Sequence, residues 1–200
     1  HLEQLLVVIE QGLHVMGWQK HDIDYIACGL GPGSFTGLRI GLAAVQGLSL
    51  GLKKSVVGVS SIDLIAQNIA CTDEAAVIVN AHRGDLYVAY YKRMHEELCR
   101  TGPIRVQSIG RFIGSMKKRK TSLIVCGDAL KAYDEVLRND MRSCVYRADA
   151  SLWYPRGASI IRLGLREIEK KAFLSLPMMV PQYSRVSGAE DVLKKKTKNR

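Results

Sequence analysis

Gly29-Leu30-Gly31-Pro32-Gly33-Ser34-Phe35-Thr36-Gly37-Leu38-Arg39-Ile40-Gly41 is the stretch of sequence that decides how this chain folds. Its glycines permit positive φ angles and close backbone approach, whereas Pro32 fixes one φ near about −65° and lacks an amide donor. Ser34 or Thr36 is suited to cap a following helix. The stretch therefore predicts a sterically constrained loop that opens a helix.

Glycine loops at helix amino termini often hold anions, because the backbone N–H groups and the helix dipole favour negative charge. On that basis Gly31, Gly33, Ser34 and Thr36 form a candidate anion-binding loop. The order of residues matches neither a Walker loop, which ends in Lys followed by Ser or Thr, nor a dinucleotide fingerprint. A turn that serves only close packing is the alternative that the residues leave open.

The elements around the loop alternate between strand and helix. Apolar residues at spacings of three and four predict an amphipathic helix over residues 1–18, and apolar runs predict strands at 23–28 and 55–59. The helix after the loop spans residues 36–52 and is apolar nearly all round, so we expect it to be covered on more than one side. Ser60 can cap a further helix that reaches residue 69.

The second half of the chain repeats this alternation. The predicted strands lie at residues 75–79, 86–91, 104–106, 122–126 and 144–146, and the predicted helices at 109–116, 129–137 and 159–173. Such a pattern favours an α/β protein. We expect a first subdomain at residues 1–70, a second at 71–182 and a basic tail at 183–200.

Composition limits the class of protein. The chain has 200 residues, of which 47% are hydrophobic and 24% charged, as in ordinary globular domains. We find no run that approaches the roughly 18 apolar residues of a membrane span and no signal peptide, so we expect a cytoplasmic protein without membrane contact. Five irregularly spaced cysteines predict neither a disulfide framework nor a zinc motif.

The net charge of +10 favours polyanionic partners. Much of the excess comes from residues 117–120 and 194–200. Direct RNA contact by the tail and ordinary solvated charge runs are both compatible with this pattern.

The glycine loop closely resembles the signature of the TsaB (YeaZ) family, the bacterial partner proteins of the tRNA threonylcarbamoyladenosine system. Four other stretches resemble further parts of the family pattern: His1-Leu2-Glu3-Gln4-Leu5-Leu6, Gly58-Val59-Ser60-Ser61, Asn80-Ala81-His82-Arg83-Gly84-Asp85-Leu86-Tyr87 and Pro181-Gln182-Tyr183-Ser184-Arg185. The resemblance covers most of the chain, and it is specific between Ile26 and Ser61 and around the hairpin at Asn80.

The resemblance implies an actin-like, Hsp70-like (ASKHA) fold of two ribonuclease-H-like subdomains around a cleft. No stretch of this sequence resembles the family's first strands, so we expect the first subdomain to be incomplete at its amino terminus. The resemblance also implies a heterodimer with the catalytic subunit TsaD and contact with tRNA through that complex. Without this partner we expect a homodimer, because an exposed pair of apolar helices rarely stays solvated. TsaE is a further partner that the resemblance leaves open.

Catalytic chemistry is not indicated. TsaD carries a His-x-x-x-His metal pair, and no such pair occurs here. Ser34 lacks the Gly-x-Ser-x-Gly setting of a nucleophile, and Asn80 stands where the family has an aspartate that could ligate Mg²⁺. Ser184 likewise replaces a family leucine. We therefore expect no catalytic residue, no metal and no tightly bound cofactor, with ATP left open as a weak ligand.

The expected partner interface is an apolar helical face. Its residues are Leu5, Leu6 and Ile9 of the first helix with Gly37, Arg39, Gly41 and Ala44 of the second. A glycine inside a helix costs about 1 kcal/mol relative to alanine, so Gly41 and Gly47 suggest close approach of another surface. Packing of the two helices on each other is the alternative, and an independent ATP-dependent enzyme or an RNA-binding module are the alternative functions.

Overall fold

The computed structural model describes residues 4–140 and 144–180. Its helices are α1 (Leu5–Val15), α2 (Phe35–Leu52), α3 (Ser61–Ala66), α4 (Ile109–Lys117), α5 (Ala129–Ala132), α6 (Asp134–Asp140) and α7 (Gly157–Glu169). Its strands are β1 (Tyr25–Gly29), β2 (Ser55–Val59), β3 (Glu74–Asn80), β4 (Asp85–Met94), β5 (Glu97–Arg100), β6 (Arg105–Ser108), β7 (Leu123–Cys126), β8 (Val145–Arg147) and β9 (Phe173–Leu174). The expected α/β class is confirmed.

The first sheet has the order β1-β2-β9. β1 and β2 are parallel, with a register that runs from Tyr25 opposite Ser55 to Gly29 opposite Val59. β9 is antiparallel to β2. The crossover between the parallel strands is α2, as a parallel pair requires.

The second sheet has the order β5-β4-β3-β7-β8, and β6 pairs with β4 beyond the end of β5. β3 and β4 form an antiparallel hairpin, whereas β7 runs parallel to both β3 and β8. Alternate residues of β3 serve opposite faces of this sheet, as the period of a strand demands. Ala75, Val77 and Val79 pack with α3, while Ala76 and Ile78 pack with α4 and α5.

The carboxyl-terminal elements return to the first sheet. α7 packs on β1 and β2, and β9 pairs with β2. A Cβ at Gly164 of α7 would lie 2.9 Å from the Cβ of Ala27, so this glycine permits the close approach of helix and sheet. The sequence pattern assigned these elements to the second subdomain; the pairing places them on the first sheet instead.

α3 also departs from the expected division. Its apolar residues Ile62, Ile65, Ala66 and the following Ile69 share one core cluster with β3 and β4 of the second sheet. α3 therefore couples the two sheets, and a single boundary at residue 70 does not capture this arrangement.

Most predicted elements are present with ends shifted by a few residues. β5 and β9 were not predicted, and the single helix expected at 129–137 is divided into α5 and α6 at Tyr133. The basic tail at 183–200, the stretch 181–185 and the first three residues of the helix expected at 1–18 lie outside the described residues.

One expectation about composition was wrong. α2 is 18 residues long with a mean hydropathy of 1.3, which is long and apolar enough to span a membrane by length and composition alone. The run was missed because Arg39, Gln46 and Ser49 interrupt it. In this structure α2 lies against β1 and β2, and its own Leu42 side chain is buried.

Candidate partner interface and glycine loop

α2 is fixed at both ends by local hydrogen bonds. Ser34 is the amino-terminal cap, since its Oγ accepts from the Gly37 amide at 3.2 Å. At the other end Lys53 adopts a left-handed conformation with φ 54°, and the Ser49 hydroxyl donates to the Lys54 carbonyl at 2.8 Å. The helix therefore has defined ends and a fixed orientation on the sheet.

Only one face of α2 is covered by the described part of the chain. Leu42 is its one fully buried residue there. An exposed stripe follows the helical spacing of three and four on the opposite side. It consists of Thr36, Arg39, Ala43, Gly47 and Leu50. This stripe is apolar apart from Thr36 and Arg39, and Leu50 is 61% exposed.

The small residues of α2 have open space beside them. A Cβ built at Gly41, Gly47 or Gly51 would meet no atom within 4 Å. Packing among residues 4–140 and 144–180 therefore does not require these glycines, although each costs about 1 kcal/mol of helix stability. This argues against the alternative in which they serve only contact between α1 and α2.

α1 adds a second under-covered apolar surface. None of its residues is fully buried by the chain that the structure describes. Leu5 and Ile9 are half-buried, whereas Leu6 and Val8 are 54% and 59% exposed. The two helices come together at their carboxyl ends, where they line one surface cavity of about 750 Å³.

The predicted interface residues thus fall into two groups. Leu6, Gly37 and Arg39 are exposed, whereas Leu5, Ile9, Gly41 and Ala44 are half-buried. Sequence reasoning took Gly47 as a sign of close approach but did not include it among the interface residues, and it missed Ala43 and Leu50, which a helical wheel drawn from Arg39 would have found. We call these ten residues of α1 and α2 the helical face.

Arg39 lies at the start of this face with an aromatic neighbour. Its guanidinium carbon is 4.2 Å from the centre of the Phe35 ring, which is cation–π geometry. Both side chains are exposed. An aromatic ring and an arginine at the edge of an apolar surface are typical of protein interfaces.

The glycine loop divides into a buried half and an exposed half. The Gly31 amide donates to Ser61 Oγ at 3.1 Å, and the Ser61 amide donates to the Gly31 carbonyl at 2.8 Å. Leu30, Gly31 and Pro32 are buried, so this half is a packing turn against the start of α3. Of the candidate anion-binding residues, Gly33, Ser34 and Thr36 lie on the exposed half, and an anion site there stays a prediction.

The turn after β3 holds the asparagine that replaces the family aspartate. Asn80 Oδ1 accepts from the His82 amide at 2.8 Å and from the Tyr133 hydroxyl at 3.4 Å. The backbone N–H of Asn80 in turn donates to Asp128 Oδ1 at 2.9 Å. The Asp128 carboxylate therefore joins the ends of β3 and β7, whereas the Asn80 carboxamide holds the turn and contacts the residue that follows α5.

Burial raises the pKa of the Asp128 carboxyl above its usual range, while the hydrogen bond from the Asn80 amide opposes that shift. Asp128 precedes α5, and its side chain makes no cap bond to that helix. Gly127 before it has φ 117°, and a Cβ there would lie 2.1 Å from the Ile78 carbonyl oxygen. The turn is therefore a close-packed junction.

The described residues offer no metal centre. Over residues 4–140 and 144–180, no group of three His, Cys, Asp or Glu side chains is arranged to hold a metal ion. Burial raises the pKa of the Cys126 thiol to about 12, so this thiol stays protonated at neutral pH.

Known proteins resemble this chain in sequence. The family model described as "TsaD: tRNA N6-adenosine threonylcarbamoyltransferase" matches residues 1–191. The tRNA threonylcarbamoyladenosine biosynthesis protein TsaB of Buchnera aphidicola subsp. Schizaphis graminum is 30% identical over 181 residues, which are 88% of this chain and 82% of that protein. TsaB of Escherichia coli is 36% identical over 96 residues, which are 46% of this chain and 42% of that protein.

A solved structure agrees with the fold. YeaZ from Pseudomonas aeruginosa superposes with a TM-score of 0.74 at 22% identity, covering 92% of this chain and 84% of that one. The architecture is therefore the actin-like α/β fold that the resemblance implied. Because the family model spans nearly the whole chain and the Buchnera alignment covers most of both proteins, this chain belongs to the TsaB (YeaZ) group of the TsaD-like family.

Proposed function

We propose that this chain is a non-catalytic partner subunit in the formation of threonylcarbamoyladenosine in tRNA. It would bind TsaD through the helical face and so enable TsaD to transfer the threonylcarbamoyl group to N6 of adenosine. The names of the relatives support a role in this process, since both aligned TsaB proteins are named for tRNA threonylcarbamoyladenosine biosynthesis.

The observation that carries this proposal is the exposed apolar surface of α2. An 18-residue helix with one fully buried residue exposes apolar surface to water, at a cost of about 25 cal/mol for each Å². Its glycines leave room for a neighbouring backbone at Gly41 and Gly47. A partner helix laid against this surface would recover that free energy and use that room.

The chemistry of the remaining surface supports a role without catalysis. Ser34 Oγ is engaged as a helix cap, and the Asn80 side chain accepts a hydrogen bond from the His82 amide of its own turn. A carboxamide is neither a nucleophile nor a general base, and no hydrogen bond joins Ser34 Oγ to a base among the described residues. The reaction is therefore assigned to TsaD.

Hydrogen exchange of the chain with and without TsaD tests the interface. We expect amides of α1 and α2 to gain protection on binding, and those of α4 to stay unchanged. Protection that appears on α4 and is missing from α2 would overturn the assignment. In the absence of TsaD the same face would join two copies of the chain, which light scattering at rising concentration would detect.

Two assays separate the alternative functions. Calorimetry of the isolated chain with ATP and Mg²⁺ should show at most weak heat, whereas an independent enzyme would bind and turn over. An RNA-binding module would bind tRNA without TsaD, with an affinity that falls steeply as salt rises.

A further inference from the structure

A polar crevice lies between the two sheets, away from the helical face and from the turn at Asn80. It occupies about 410 Å³ at the carboxyl end of β2, between α3, α7 and β5. Pockets of this size at the junction of two structural units are common small-molecule sites. The charged and hydrogen-bonding side chains that line it include Ser60, Asp63, Tyr91, Glu97, Arg100 and Arg166.

Asp63 is at the centre of one wall. Its Oδ1 accepts from the buried Tyr91 hydroxyl at 2.7 Å and lies 3.3 Å from Arg100 Nε. Both contacts use the same oxygen. Among the residues that the structure describes, none forms a hydrogen bond with Asp63 Oδ2 or with the two terminal nitrogens of Arg100.

The second wall carries another ion pair, between Arg166 of α7 and Glu97 of β5. The four charged side chains are between 25% and 39% exposed. Ion pairs this accessible typically stabilise a protein by about 0–1 kcal/mol, so stability alone does not account for two of them in one crevice. All four side chains line the crevice, and each guanidinium has more N–H groups than its one carboxylate partner can accept.

We propose that this crevice binds a small zwitterion of the α-amino acid class. The ligand carboxylate would bridge the terminal nitrogens of Arg100, which present the planar fork that carboxylates match. The ligand ammonium would donate to Asp63 Oδ2 and to the Ser60 hydroxyl. Its side chain would extend toward Glu97 and Arg166.

The arrangement favours a ligand that carries both a carboxylate and an ammonium group. A carboxylate without an ammonium would meet Asp63, and an ammonium without a carboxylate would meet Arg100, so each would face one unfavourable charge. Because the crevice shares no residue with the helical face, this inference stands or falls separately from the proposed function.

Titration calorimetry of the full chain tests it. The probes are L-serine, L-glutamate and L-arginine, which span three side-chain types, and the matched controls are 3-hydroxypropanoate and ethanolamine. We expect at least one amino acid to bind and both controls to give no binding. Heat from none of the three amino acids, or equal binding by a control, would overturn the proposal.

Two variants locate the site. Arg100→Met and Asp63→Asn should each weaken the binding amino acid by at least about tenfold, while Arg105→Met, an exposed arginine outside the crevice, should leave it unchanged. The thermal midpoint of each variant without ligand shows that it is folded. Unchanged affinity in a folded Arg100→Met variant would place the ligand elsewhere and refute the assignment.

Discussion

Replacing Gly41 of α2 by leucine tests whether this glycine belongs to a docking surface or to packing within the chain. If the glycine served contacts within the chain, the new side chain would disturb the fold. A Cβ at this position meets no atom within 4 Å, so the fold should accept it. Removal of a helical glycine should even stabilise the free chain by about 0.5–1 kcal/mol.

Binding to TsaD should change in the opposite direction. Side chains forced into a close-packed contact typically cost about 1–3 kcal/mol. At about 1.4 kcal/mol for each factor of ten, Gly41→Leu should raise the dissociation constant by about fivefold to about 150-fold. Titration of TsaD with the purified variant measures this constant directly.

Gly114→Leu is the matched control. Gly114 is also a half-buried glycine within a helix, α4, and has no atom within 4 Å of a built Cβ. This control should bind TsaD as the unmodified chain does. A folded Gly41→Leu variant that binds equally well would refute the reasoning that places TsaD on the helical face.

Three further changes probe the fold around the site. Gly127→Ala should destabilise the protein by more than about 2 kcal/mol in urea unfolding, because the new methyl would meet the Ile78 carbonyl at a left-handed φ; unchanged stability would contradict this close-packed turn. Asp128→Asn should flatten the pH dependence of the free energy of unfolding. Because burial raises the pKa of Asp128 in the folded protein, this group favours folding below its unfolded pKa of about 3.9 and loses that contribution as the pH rises through the folded pKa. Parallel stability–pH profiles for both proteins would exclude this role. Tyr91→Phe should cost about 0.5–3 kcal/mol in thermal unfolding, since the buried hydroxyl donates to Asp63, and an unchanged midpoint would show that this bond contributes nothing.

Much of the fold could be predicted because the decisive signals are local. The apolar runs predicted β2 and β3 to within a residue. The cap candidates Ser34 and Thr36 predicted a helix from residue 36, and α2 begins one residue earlier, after Ser34. These elements depend on periodicity and capping, which a sequence displays directly. β5 was missed because Leu98 is its one buried residue and charged residues flank it.

The placement of the carboxyl-terminal elements could not be predicted in the same way. β9 is two residues long and exists through pairing with β2, more than a hundred residues earlier in the chain. Lys171, with φ 56°, separates it from α7, whereas the apolar pattern alone extended the helix to Phe173. Such long-range pairings depend on tertiary contacts that local propensity does not contain.

The candidate site shows the same division. The composition of α2 predicted an apolar helix that needs covering, but only the structure showed that Leu42 faces the sheet while Ala43, Gly47 and Leu50 face outward. The crevice around Asp63 and Arg100 joins residues from α3, β4, β5 and α7, so no spacing in the sequence could have indicated it.

The central claim is that this chain acts by docking on TsaD and does not itself carry out the reaction. Threonylcarbamoyl transfer to tRNA, measured in a purified system with TsaD alone, with this chain alone and with both, tests it most directly. We predict strong transfer only when both proteins are present. Full activity of TsaD alone, or transfer by this chain alone, would contradict it.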